Sequence, residues 1–190
     1  MAEMYGRREF LKVLGYGLAA GSLYGCVGMP LPLSPDENKK LRTIDSLLQK
    51  EFFTDEAQAA LKNSPLVVTD LFPTLNLKGK SAGGIYFNNT RHINRSSFCR
   101  DYRIEDIIFH ETIHFFDDNG YIDRQAFSQV YNSMSEKRSP IKAIVQQRMR
   151  SHIPISLLLG WEKRAYTAQY WKMDDYEVPE EMKKVFGRGF

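Results

Sequence analysis

Between Asp36 and Phe53 the apolar residues fall at Leu41, Ile44, Leu47, Leu48 and Phe52, the spacing of one buried helix face. Thr54 is placed to cap a second, shorter helix that runs to about Lys62. The pattern then changes. Leu66-Val67-Val68 is a short run of strand type, and the stretch from Phe72 to Lys80, broken by Pro73 and Gly79, is irregular. Gly83 to Phe87, the turn residues Asn88-Asn89-Thr90, and Arg91 to Asn94 predict a hairpin. From Asp101 to Asp118 helical spacing returns at Ile104, Ile107, Ile108, Ile113 and Phe115, with Glu105 and Asp106 in the first turn and Gly120 as the stop. Asp123 to Glu136, Ser139 to Arg150 and Pro154 to Trp171 predict three more helices. Pro179, followed by Glu180 and Glu181 and then Lys183 and Lys184, predicts a fourth. The expected class is α+β, mostly helical, with a small antiparallel sheet.

Composition narrows the function classes. With 26 Lys and Arg against 23 Asp and Glu, the formal charge of +3 is too small and too scattered for a nucleic-acid footprint, so no nucleic-acid partner is expected. The 2 cysteines, Cys26 and Cys99, exclude a disulfide scaffold and a multi-cysteine metal site. Any metal must be held by His and carboxylates.

The N-terminal segment has a separate character. Arg7, Arg8 and Lys12 precede a Gly- and Ala-rich apolar run from Val13 to Tyr24, which is shorter than the roughly 20 residues a membrane-spanning helix needs. Gly6-Arg7-Arg8-Glu9-Phe10-Leu11-Lys12 resembles the twin-arginine export motif. Leu23-Tyr24-Gly25-Cys26 resembles the lipobox of bacterial lipoproteins, which implies cleavage before Cys26 and its lipidation. The expected organisation is a signal peptide over 1–25, a lipidated Cys26 with a Pro-rich tether over 26–36, and one domain over 37–190. The implied location is the periplasm or cell envelope, with a lipid anchor in a membrane.

Chemistry concentrates in His110-Glu111-Thr112-Ile113-His114. Histidines at i and i+4 share a helix face and can reach one metal ion, while Glu111 beside them can take a proton from an attacking water. The surrounding Ile107, Ile108, Phe109, Ile113, Phe115 and Phe116 make an uncompensated cluster costly to bury. The alternative is a pair of core histidines bonded to Asp117 and Asp118. A catalytic tetrahedral site needs a third protein ligand. Glu162 fits, because Leu158, Leu159, Ala165 and Tyr166 surround it at helical spacing and a carboxylate on such a stripe needs a cation. An ion pair from Glu162 to Arg164 or Arg103 is the alternative, and His152 and Asp118 are weaker ligand candidates. Asp117 and Asp118 oppose the dipole at the end of their helix, which points either to a role behind the metal ligands or to a solvated helix end.

His110 to His114 with Glu162 in Gly-Trp-Glu-Lys-Arg-Ala-Tyr resembles the zincin metallopeptidases, in particular the gluzincin branch. The resemblance implies one catalytic Zn2+ held by His110, His114 and Glu162, with Glu111 as general base. It also implies a zincin-like fold in which an antiparallel edge strand beside the active helix pairs with an extended peptide or protein substrate. The hairpin from Gly84 to Asn94 is the segment that matches, and Tyr166 is the candidate stabiliser of the tetrahedral intermediate. A rival from another class is a zincin-like scaffold lipoprotein that binds zinc without turnover.

Replacing Arg7 and Arg8 by Lys is expected to retain the chain in the cytoplasm, and Cys26→Ala to release it from the membrane fraction. Cell fractionation checks both. Unchanged export or unchanged membrane association rejects the corresponding motif.

Overall fold

A computed structural model describes residues 27–71, 83–99, 103–135, 139–152 and 159–190 of the 190-residue chain. Arg7, Arg8 and Cys26 lie outside the described residues. Strand β1 (Val27–Pro30) leads into helices α1 (Pro35–Phe52) and α2 (Asp55–Leu61) and strand β2 (Leu66–Leu71). Strands β3 (Gly84–Phe87) and β4 (Thr90–Asn94) follow, then a short helix α3 (Arg95–Cys99). Helices α4 (Ile104–Asp118), α5 (Arg124–Ser133), α6 (Pro140–His152), α7 (Leu159–Met173) and α8 (Glu180–Val185) complete the chain.

Side-chain caps close the helix ends, and Thr54 and Gly120 act where the sequence reading placed them. Ser34 and Glu37 form a reciprocal capping box on α1, Thr54 accepts from the Ala57 amide at the start of α2, and Asp123 caps α5. Gly120 takes φ +76° just past α4, and the Tyr121 amide donates to the Phe116 carbonyl, closing the helix end. Leu47 departs from the expected stripe of α1: it is 59% exposed, while Leu41 and Leu48 are buried.

The expected α+β, mostly helical architecture is present, but the sheet is mixed. Its order is β1-β2-β4-β3, with β2 and β4 parallel in the middle and an antiparallel pair on each side. The sequence reading of a small antiparallel sheet is corrected on that central pair. Short strands look alike in either direction, and only the path of the chain decides. Val27–Pro30, expected to begin the tether, instead pairs with β2, and the Leu31 amide donates to the Val68 carbonyl, so this part of 26–36 belongs to the sheet.

Helix α4 lies between the sheet and the other helices. Ile104 and Ile108 pack with Val68 and Ile93 in one apolar cluster, while Phe109, Ile113, Phe115 and Phe116 belong to a second with α2, α5, α7 and α8. Arg91 on β4 fastens the sheet side. It is 2% exposed, grips both carboxylate oxygens of Asp45 on α1 at 2.7 and 3.1 Å, and donates to Thr112 Oγ1 on α4 at 3.0 Å.

The hairpin turns on Asn88 and Asn89, at φ 48° and 59°, a pair of left-handed residues that asparagine tolerates and that the two-residue primed turn requires. Gly84 then brings β3 hard against α4. A Cβ at that position would stand 2.8 Å from the His92 carbonyl oxygen, 2.8 Å from Ile107 and 3.0 Å from Glu111 Cγ.

Gly84→Ala is therefore expected to push β3 from α4 and to destabilise the protein by about 1–3 kcal/mol, the usual range for overpacking. Urea denaturation of the two proteins checks this, and equal midpoints would remove the case for close packing at Gly84.

Candidate metal centre

His110, Glu111 and His114 are buried because α4 has neighbours on every side. Their spacing sets both imidazoles on the face turned toward α7, with ring centroids 4.8 Å apart. Helix α7 approaches on its small buried residues Ala165 and Ala168 and carries Glu162 to the pair. His110 Nε2 is 3.1 Å from Glu162 Oε2, and His114 Nε2 is 3.4 Å from Glu162 Oε1. Each imidazole thus faces one oxygen of a single carboxylate.

This arrangement fits a metal ion. The three ligand atoms lie within 4.8 Å of one another. Tetrahedral coordination with bonds of about 2.0–2.1 Å puts neighbouring ligand atoms about 3.3 Å apart, close to the observed Glu162 separations. Around a tetrahedral ion, two imidazoles and one carboxylate would leave a fourth position for another ligand.

The electrostatics point the same way. Burial opposes ionisation of Glu162, but the charges and hydrogen bonds of His114 and His110 outweigh it and hold its pKa well below the carboxylate range. Burial likewise opposes the charged form of His110, yet its hydrogen bond to Glu162 and the charges of Glu162 and Glu111 prevail and its pKa rises. The pocket stabilises positive charge. A metal must displace the His110 proton, so its apparent affinity falls as the pH drops through the raised pKa of His110.

Aromatic rings close the site. Tyr166 lies on His110 with centroids 4.5 Å apart, and Trp161 lies on His114 at 4.6 Å. Burial, with the negative charge of Glu162 second, raises the Tyr166 pKa and keeps its phenol protonated. The guanidinium of Arg148 stands 5.6 Å over the Tyr166 ring. The His110 Nδ1 is 3.1 Å from Gln169 Oε1, a contact the sequence reading missed. Its signal was available in the sequence, since Gln169 follows Glu162 by two helical turns on the same face.

Several expectations are corrected. Arg164 does not pair with Glu162: it binds Asp117, with Nε at 2.9 Å and Nη2 at 2.8 Å from Oδ2. Arg103 pairs with Asp106 and Asp174. Asp117 is neither behind a metal ligand nor solvated. It is 1% exposed and also receives Arg124 Nε at 2.7 Å, while Arg124 Nη2 donates to the Asp117 carbonyl at 2.7 Å. Two guanidiniums thereby outweigh the unfavourable helix dipole. Asp118 lies 3.4 Å from Arg124, away from the cluster formed by His110, His114 and Glu162. Consequently the two histidines are not bonded to Asp117. His152 ends α6, and its side chain is outside the described set.

Comparison with protein-family models, curated proteins and solved structures finds no match to this chain.

The Asp117–Arg164 pair ties α7 to α4 two turns beyond His110. Asp117→Ala leaves a buried guanidinium without its counter-charge and is expected to lower stability by about 3–5 kcal/mol. Arg164→Ala should show a comparable loss, and the double variant less than the sum, because the two residues are in contact. Chemical denaturation of all four proteins checks the cycle; additive losses would show that the pair does not act as a unit.

Proposed function

We propose that this protein is a zinc-dependent metallopeptidase of zincin type, in which His110, His114 and Glu162 hold Zn2+ and Glu111 is the general base. The observation that carries the reading is the convergence of those three ligand atoms within 4.8 Å, with Glu111 on the same helix and next to the sheet edge. When bound, zinc supplies a Lewis acid for a scissile carbonyl and acidifies water toward a pKa of about 7.

Glu111 takes the proton of the attacking water and passes it to the leaving amine. It is 4% exposed and stands where a Gly84 side chain would touch it, so the base and the edge strand are in contact range. The register supports a peptide substrate. The Asn94 amide donates to the Gly83 carbonyl at 2.8 Å, and the next pair, Gly84 with Ile93, therefore turns the Gly84 backbone groups away from β4. Tyr86, two residues on, does the same. Among the described residues β3 is an edge strand of the sheet, so an extended chain that pairs with Gly84 would run beside Glu111. The protonated phenol of Tyr166 is able to donate to a developing oxyanion.

The N-terminal motifs support a place at the cell envelope, reached by the twin-arginine route and held by lipid on Cys26. No helix among the described residues is long and apolar enough to cross a membrane. With β1 starting at Val27, an anchor on Cys26 would hold the sheet close to the bilayer.

Elemental analysis of the purified protein should give about one zinc per chain, as a three-ligand catalytic site requires. Glu111→Gln should keep that metal and the fold while peptide-bond cleavage falls by roughly 10²- to 10⁴-fold. Mass spectrometry of a mixed peptide library and of unfolded protein, with a chelator control, reads the products. If wild type yields no more products than the Gln variant, the non-catalytic zinc-binding scaffold is the better description, with β3 as its docking edge.

A further inference from the structure

An imidazole offers two nitrogens, and the partner of one decides which faces a metal. His110 is held at three points. Nε2 faces Glu162 Oε2 at 3.1 Å, Nδ1 faces Gln169 Oε1 at 3.1 Å, and the Tyr166 ring packs against the imidazole at a tilt of 55°, centroids 4.5 Å apart. Glu162, Tyr166 and Gln169 sit at i, i+4 and i+7 on α7, so one rigid helix carries the third ligand together with both groups that orient the first. His114 has a different neighbour, the Trp161 ring at 4.6 Å.

We propose that Gln169 is the positioning residue of the metal centre: its amide oxygen accepts the Nδ1 proton of His110, fixing the tautomer that presents Nε2 to the ion. This deepens the metal reading above and rests on it, but not on turnover. An amide oxygen can only accept, so Nδ1 carries the proton and the Nε2 lone pair is free for the ion.

The choice of an amide has a consequence of its own. A carboxylate at position 169 would add one partly buried negative charge to that of Glu162. Gln169 orients His110 without adding that charge, and the imidazole remains a weaker donor than it would be against a carboxylate. The metal is thereby held less tightly and kept more electrophilic.

Zinc affinity of the purified full chain, measured by competition with a chromophoric chelator, tests the assignment in wild type, Gln169→Leu and Gln169→Glu. Gln169→Leu removes the acceptor at similar bulk and is expected to weaken zinc roughly 10- to 100-fold, the usual effect of losing a partner behind a ligand. Gln169→Glu restores an acceptor and adds charge, so its affinity should equal or exceed that of wild type. The thermal midpoints of the metal-free proteins separate a local effect from loss of fold. Imidazole nitrogen spectra of zinc-loaded wild type should place the His110 proton on Nδ1, a result that does not depend on any variant folding. A Leu variant that binds as tightly as wild type, a Glu variant as weak as Leu, or a proton on Nε2 each overturns the Gln169 assignment. Wild type that takes up no zinc instead overturns the metal reading beneath it.

Discussion

Helix α4 has almost no solvent face, and most of the structure follows from that constraint. Its apolar residues fill two clusters, one against the sheet and one against the remaining helices. Its buried polar residues cannot reach bulk water and are compensated by groups delivered from other elements. Thr112 accepts from Arg91, Asp117 is enclosed by Arg124 and Arg164, and the two histidines meet Glu162 and Gln169. The buried polar positions of one helix thereby dictate what several others must carry.

Helix α7 answers most of that demand. Along its length Glu162, Arg164, Tyr166 and Gln169 all turn toward α4, while Ala165 and Ala168 keep the two backbones close. Along α4 the Arg164–Asp117 ion pair lies three residues beyond His114 and seven beyond His110, the two contacts of Glu162, and together they define both the axial position and the rotation of α7. A small shift of either helix would separate the carboxylate from one imidazole, because a buried interface of this density moves in discrete steps. The anchoring pair and the His110–His114–Glu162 cluster are thus parts of one helix contact.

On the other face of α4 the sheet is fastened just as firmly. Arg91 links β4 to α1 and α4 through Asp45 and Thr112, and Gly84 lets β3 lie against Glu111 with no side chain between them. Glu111 and strand β3 are adjacent for a steric reason, the missing Cβ of Gly84. Edge strands usually invite unwanted pairing and are protected. Here β3, an edge strand among the described residues, lies against the buried carboxylate of Glu111.

Local signals in the sequence determined the helices, the hairpin and the shared face of the two histidines, because capping, periodicity and i, i+4 spacing act within a few residues. Ser34, Thr54, Asp123 and Gly120 mark element ends through their own hydrogen bonds or φ angles, and His110 and His114 share a face in any helix. Glu162 was legible because a lone carboxylate on an apolar stripe has few ways to be stable. What depended on long-range pairing was not. The parallel contact of β2 and β4, the incorporation of Val27–Pro30 into the sheet and the partner of Arg164 were decided only when distant segments came together. Arg164 had two carboxylates within reach of its helix, Glu162 and Asp117. Tertiary packing settled the choice by burying Asp117 at the end of α4, where only guanidiniums could neutralise it, and leaving Glu162 to the imidazoles.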